Sequence, residues 1–264
     1  MIPRRYIEEW REFAPWPENS QIEQDLIIER AIVEIFSDPF LNENLAFRGG
    51  TALHKLFLKP QVRYSEDIDL VQVKSGPIKP ILSAIKERLA PFLGVKRNIE
   101  SSIHNHTATY RFETEIAPII RMRLKIEINC REHFTVFGFQ QIPFEVKNGW
   151  FSGSCNINTY QVEELLGTKL RALYQRRKGR DLFDLDYTLS KSNIDILKLI
   201  TCYHAYMNHS DGISPTQKMF SLNLEEKLTD KEFRNDIFTI LRPGIDFSIE
   251  KAHQNILKNI VFKI

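Results

Sequence analysis

Between residues 119 and 129 hydrophobic and polar side chains alternate without interruption. Ile120, Met122, Leu124, Ile126 and Ile128 point one way, and Arg121, Arg123, Lys125, Glu127 and Asn129 the other. A period of two is that of a strand with one buried face. Shorter runs predict strands at Leu45-Ala46-Phe47, at Asp67-Ile68-Asp69-Leu70-Val71 and over 107–115. The segment 131–160, rich in Phe, Gly and Asn, predicts one or two further short strands. Helical spacing links Ile22, Leu26, Ala31, Ile32 and Ile35, after Ser20 and Glu23 at capping-box separation and before a stop at Asp38-Pro39. Ala52, Leu53, Leu56 and Phe57 predict a helix ending before Pro60, and 78–93 predicts another.

From Gln161 onward the strand pattern disappears. Val162, Leu165, Leu166, Lys169, Leu170 and Leu173 form one helical stripe. Helical patterns follow at 192–208, 224–241 and 248–262, with Arg242-Pro243-Gly244 between the last two. The expected fold is α+β: an α/β domain with a mixed sheet and N-terminal helices over 1–158, then a helical domain over 159–264.

Composition adds bounds rather than identity. The chain has 264 residues, 42% hydrophobic and 27% charged, which is enough to bury a core and argues against disorder. The net charge of +2 does not mark a nucleic-acid binder, so any basic site must be local. Cys130, Cys155 and Cys202 are widely spaced and suggest neither a disulfide framework nor a zinc site. Met1–Trp10 is charged and unlike a signal peptide, and no run approaches a membrane span. A cytoplasmic protein without membrane association is the expectation.

The chemistry gathers in one strand–helix–strand unit. Gly49-Gly50-Thr51 opens a helix directly after a strand. Glycines let backbone approach a phosphate, a helix N-terminus favours an anion, and the Thr51 hydroxyl adds a donor. On the next strand Asp67 and Asp69 share a face. Two hard carboxylates suit Mg²⁺, which keeps waters and bridges to substrate phosphates. Glu127, on the polar side of its strand, is a third candidate carboxylate; the alternative is a surface charge paired with Arg123 or Lys125. Lys169 interrupts an apolar stripe, so it must reach water or find an anion, either a nucleotide phosphate or Asp184. Asp181 reads as a helix N-cap. Between residues 169 and 180, Lys169, Arg171, Arg176, Arg177, Lys178 and Arg180 form a basic run, which the helix dipole alone favours at a helix C-terminus and which could also serve, at Arg176, Arg177 and Lys178, as the approach surface for a large polyanion.

Two blocks carry a resemblance. Phe47-Arg48-Gly49-Gly50-Thr51-Ala52-Leu53 followed by Tyr64-Ser65-Glu66-Asp67-Ile68-Asp69-Leu70 resembles the AbiEii/AbiGii toxin family, within the polymerase-β-like nucleotidyltransferases, and is similar to the MenT toxins. Lys169-Leu170-x-Ala172-Leu173 and Arg180-Asp181-Leu182-Phe183-Asp184-Leu185 extend it. The resemblance implies a nucleotidyltransferase that joins a nucleotide from an NTP to an acceptor and releases pyrophosphate. Asp67, Asp69 and Glu127 would hold Mg²⁺, Gly49, Gly50, Thr51 and Lys169 the triphosphate, and Lys169 and Asp184 would help complete the active site. It also implies a cognate antitoxin and an RNA acceptor, tRNA at its 3′ end. Competing readings are transfer to a protein such as the antitoxin or to a small molecule such as an aminoglycoside, and a non-catalytic nucleotide-binding module.

Overall fold

In a computed structural model, which describes residues 2–264, the chain divides into units Met1–Tyr160 and Gln161–Ile264. Met1, the first residue of the segment read above as unlike a signal peptide, lies outside the described residues. The first unit contains α1 (Arg4–Trp10), α2 (Asn19–Phe36), α3 (Pro39–Asn44), β1 (Leu45–Arg48) and α4 (Gly49–Ala52), which runs on into a π-helical turn Leu53–Phe57. Then come β2 (Asp67–Gln72), α5 (Lys79–Leu93), β3 (Asn98–Ser101), β4 (Asn105–Glu113), β5 (Arg121–Asn129), β6 (Phe139–Lys147) and β7 (Ser152–Tyr160).

The strands form one seven-stranded sheet in the order β3-β4-β5-β2-β1-β7-β6. It is mixed: β2 pairs with β5 and β1 with β7 in parallel, while β1–β2, β4–β5, β3–β4 and β6–β7 are antiparallel. Its centre is apolar on one face, where Ile68, Leu70, Ala108, Tyr110, Leu124, Ile126 and Ile128 are all buried. Pro143 lies in β6, at a sheet edge, where a missing N–H costs no ladder bond.

Several local expectations shift. Helix α2 starts at Asn19 with Glu18 as its N-cap and Gln21 closing the box, not Ser20 and Glu23. Glu23 is instead buried and accepts the Glu115 backbone N–H at 3.0 Å. The alternation in β5 weakens at its start, where Ile120 is exposed. Strands β6 and β7 are nine residues each, longer than expected. The wholly exposed edge strand β3 has no apolar alternation by which to detect it.

The second unit contains α6 (Val162–Gln175), α7 (Gly179–Lys191), α8 (Ile196–Asp211), α9 (Gln217–Leu228), α10 (Lys231–Asn235), α11 (Ile249–Asn259) and a 3₁₀ turn, Val261–Lys263. The stripe on α6 is core, with Leu165, Leu166, Leu170 and Leu173 buried. Gly167 lets α6 approach α8 closely, since a Cβ there would stand 2.6 Å from Cys202 Cβ and 2.9 Å from the Tyr203 backbone nitrogen. The expected helix 224–241 is broken in two because Asp230 caps a new start, accepting the Glu232 N–H. Among the described residues no helix is long and apolar enough to cross a membrane.

Candidate active site

The polar face of the sheet centre is built by register. Arg48 of β1 lies opposite Asp69 of β2, which lies opposite Glu127 of β5, which lies opposite Thr107 of β4. One step along, Asp67 faces Lys125 and Lys125 faces Thr109. Residues two apart on a strand share a face, so Asp67 and Asp69 present two carboxylates together, beside Lys125 and Glu127.

Gly49 makes room for this arrangement. Its φ is +79°, and a Cβ built there would stand 2.1 Å from Asp69 Oδ2. Only glycine combines that backbone conformation with so close a carboxylate. Thr51 does something other than expected. It is 1% exposed, its hydroxyl donates to the Asp67 carbonyl, and it shares a 2.7 Å hydrogen bond with Ser65 Oγ. The hydroxyl expected to meet a phosphate instead ties α4 to the start of β2 and so positions Asp67.

The electrostatics of the face are unbalanced. Burial, then the negative charges of Asp69 and Glu66, push the Asp67 carboxyl up to about 6, against the pull of Lys125 and Arg123. Arg48 compensates on the other side. Burial alone would depress its guanidinium, but Glu132, Tyr160 and Asp69 together hold it above its usual range. Arg48 pairs directly with Glu132. Glu127 pairs with Lys125, the alternative left open by the sequence. Among the described residues no group of three or more His, Cys, Asp or Glu side chains stands ready to hold a metal ion. The donor set still fits Mg²⁺, because that ion takes one or two protein carboxylates and fills its octahedron with waters and phosphate oxygens. A cation held by Asp67 and Asp69 would also offset the burial and the repulsion that together raise Asp67.

The second unit holds the other sequence-predicted residues, and there charge is matched. Lys169 is 6% exposed, and its Nζ lies 3.1 Å from Asp181 Oδ1 and 2.9 Å from Asp184 Oδ2. Both carboxylates are fully buried. Asp181 is not the helix N-cap; Lys178 holds that position, and Asp181 sits in the first turn of α7. It accepts a two-pronged contact from Arg176, at 2.6 Å from Nε and 2.8 Å from Nη2. Burial would raise the Asp181 carboxyl, but Lys169 and then Arg176 hold it below its usual range.

The basic run is similarly engaged. Arg177 pairs with Glu226 and, at 3.7 Å, with Asp230. Lys178 lies 3.7 Å and Arg180 3.0 Å from Asp236. Arg176, Arg177 and Lys178 nonetheless keep about half their side-chain surface exposed, at 53%, 55% and 49%.

The sequence offered Lys125 as a partner of Glu127 but not as a neighbour of Asp67, and it did not point to Arg48 or Thr109 as neighbours of the carboxylates. The signal for Lys125 was present, since it alternates with Glu127 on the polar side of β5. Arg48 and Thr109 needed the pairing register. A second buried charge cluster was missed altogether: Lys55 Nζ reaches Asp25 at 2.9 Å and Glu29 at 2.7 Å, and Trp10 Nε1 donates to Asp25 at 3.0 Å.

Comparison with known proteins identifies the fold and the family. The chain is similar along its whole length to MenT4, a nucleotidyltransferase toxin from Mycobacterium tuberculosis H37Rv, with 14% identity, 91% of that chain covered and a TM-score of 0.69. It is also similar to a putative nucleotidyltransferase from H. pylori, with 19% identity, 93% of this chain and 96% of that chain covered and a TM-score of 0.57. No curated protein matches it significantly. The family described as "Nucleotidyl transferase AbiEii toxin, Type IV TA system" matches residues 30–259. The chain therefore belongs to the AbiEii family of nucleotidyltransferase toxins.

Proposed function

We propose that this nucleotidyltransferase uses Mg²⁺ to transfer a nucleotide from an NTP to the 3′ end of tRNA, and that a cognate antitoxin holds it in check. One observation carries the reading: two carboxylates, Asp67 and Asp69, share the half-buried polar side of a central strand, where burial and then the charges of Asp69 and Glu66 raise the Asp67 carboxyl against the pull of Lys125 and Arg123. A structural pair would be matched, whereas a phosphoryl-transfer site lacks its cations until substrate arrives.

In this reading Asp67 and Asp69 would hold Mg²⁺, which when bound would neutralise phosphate oxygens and polarise the attacking hydroxyl. The acceptor oxygen forms a bond to the α-phosphorus as the bond to the departing pyrophosphate breaks. Glu127, beside Asp69 in register, takes the hydroxyl proton, and Lys125 holds Glu127 in place. Gly49 and Gly50 bring the backbone close to the triphosphate, and Thr51 positions Asp67 through its carbonyl. Within the second unit Lys169 is matched by the buried Asp181 and Asp184, so in this reading that trio serves the fold of the helices. Arg176, Arg177 and Lys178, half exposed despite their partners, offer further contacts to RNA phosphates.

The test is incubation with each labelled NTP, Mg²⁺ and total RNA, followed by sequencing of tRNA 3′ ends after induction in cells. The expected result is labelled tRNA with extended ends and growth arrest that co-expression of the antitoxin relieves. Unaltered tRNA ends, with label on a protein or a small molecule, would select the competing transfer reaction.

A further inference from the structure

Beside the carboxylates, the sheet carries a basic cleft that the nucleotide chemistry does not use. Its volume is about 460 Å³, and it is lined by Gln24, Glu66, Arg111, Arg121, Met122 and Arg123. Glu66 directly precedes Asp67, and Arg123 is close enough to Asp67 to pull its carboxyl downward. The cleft therefore begins at the candidate catalytic face.

Pairing register sets how the arginines stand. Arg111 of β4 lies directly opposite Arg123 of β5, and Arg121 lies opposite Glu113. Two like charges directly opposite on antiparallel strands are destabilising. Arg111 and Arg123 are both exposed, and among the described residues neither has a carboxylate within ion-pair distance. Arg121 reaches Glu113 only at 3.9 Å, with both side chains largely in water. The contrast with Arg176, Arg177, Lys178 and Arg180 is direct, since each of those has an acidic partner. The backbone below the cleft is nevertheless held firmly, because Gln24 Nε2 donates to the Arg123 carbonyl at 2.9 Å.

Unmatched cations on a fixed backbone suit an anion. The length of the row indicates which kind. Arg123 and Arg121 lie two and four residues before Lys125, the partner of Asp67, so at a strand rise of about 3.3 Å per residue they extend roughly 7 and 13 Å from the carboxylates. One triphosphate is shorter than that row, whereas a nucleic-acid backbone supplies phosphates along all of it.

We propose that the Arg111–Arg121–Arg123 cleft binds backbone phosphates of the RNA acceptor and leads its 3′ end to Asp67 and Asp69. The inference rests on the RNA-acceptor reading above. Guanidinium groups bind phosphate oxygens through paired N–H donors, and their contribution is sequence-independent and salt-dependent.

The test compares the wild-type protein with the double variant Arg111→Gln/Arg123→Gln, and with Lys86→Gln/Lys96→Gln as a control for equal charge loss at exposed positions elsewhere. Binding of unfractionated tRNA is followed by fluorescence anisotropy across a salt series, and the KM for the NTP by label transfer. The arginine variant is expected to bind tRNA about ten-fold or more weakly at low salt, with a slope of log K against log salt shallower by about one to two. Its KM for the NTP should match wild type, its melting temperature should equal or slightly exceed wild type because the Arg111–Arg123 repulsion is relieved, and the lysine control should bind tRNA as wild type does. Wild-type tRNA binding by the arginine variant would overturn the proposal. A raised KM for the NTP with tRNA binding retained would also overturn it, by making the cleft a triphosphate site. If the wild-type protein labels no RNA, the acceptor reading itself fails and the cleft proposal falls with it. If wild type labels tRNA and the variant binds it equally well, the cleft proposal alone fails.

Discussion

The sheet face around Asp67 and the helical cluster around Lys169 use the same residue types to opposite effect. On the sheet, Asp67 and Asp69 stand together, and the Asp67 carboxyl is pushed up to about 6 by burial and neighbouring negative charge. In the helices, Asp181 and Asp184 are more deeply buried, yet Lys169 and Arg176 supply their counter-charges and Asp181 is held low. Burial alone does not separate a reactive carboxylate from a structural one. The balance of charge within hydrogen-bonding reach does. By that measure the Lys55–Asp25–Glu29 cluster falls between the two: burial raises Glu29 more than Lys55 lowers it.

The largest expected effect is on chemistry. Asp67→Asn and Asp69→Asn should each lower nucleotide transfer about 1,000-fold or more, because loss of a metal ligand removes stabilisation made only in the transition state. Near-normal turnover of either variant with Mg²⁺ present would remove the sheet face from the mechanism. Gly49→Ala should be almost as damaging, since its Cβ would overlap the Asp69 carboxylate. Circular dichroism should show its secondary structure intact.

The next effect is on stability and should reverse between the two regions. Lys169→Ala leaves two buried carboxylates without that cation and should cost about 3 kcal/mol by chemical denaturation. Asp67→Asn should instead stabilise the metal-free protein at neutral pH. A carboxyl whose folded value lies above its unfolded one binds protons more tightly when folded, so its charged form penalises the fold. That penalty is absent below about pH 4 and complete above about pH 6. Discounted for partial exposure, it should be on the order of 1 kcal/mol. Equal signs for the two substitutions would abolish the distinction drawn above.

A smaller effect follows from the same carboxyl. In the proposed site protons would compete with Mg²⁺ at Asp67, so the apparent Mg²⁺ affinity should weaken as pH falls through about 6, approaching ten-fold per unit below it. Titration calorimetry at pH 5 and pH 7.5 would show this, and Asp67→Asn should lose the dependence. The smallest effect is expected at Thr51→Val, which keeps the shape but loses the bonds to Ser65 and the Asp67 carbonyl. It should cost about 1 kcal/mol of stability and lower turnover modestly by loosening Asp67.

Some of this could be read from residue order alone. Alternation over 119–129, the paired Asp67 and Asp69, and the stripe from Val162 to Leu173 are local patterns, and local backbone geometry sends residues two apart on a strand, or three and four apart on a helix, to one side. The mixed sheet, the helical second half and the family therefore followed from the chain before its fold was known. Partnership did not, because it depends on residues distant in sequence. Only strand register set Arg48 opposite Asp69 and Arg111 opposite Arg123, and only helix packing gave Lys169 two carboxylates instead of one. Thr51 turned from a presumed phosphate donor into a brace for Asp67 for the same reason: a hydroxyl bonds whatever the tertiary structure brings within reach, and here that is a carbonyl sixteen residues away.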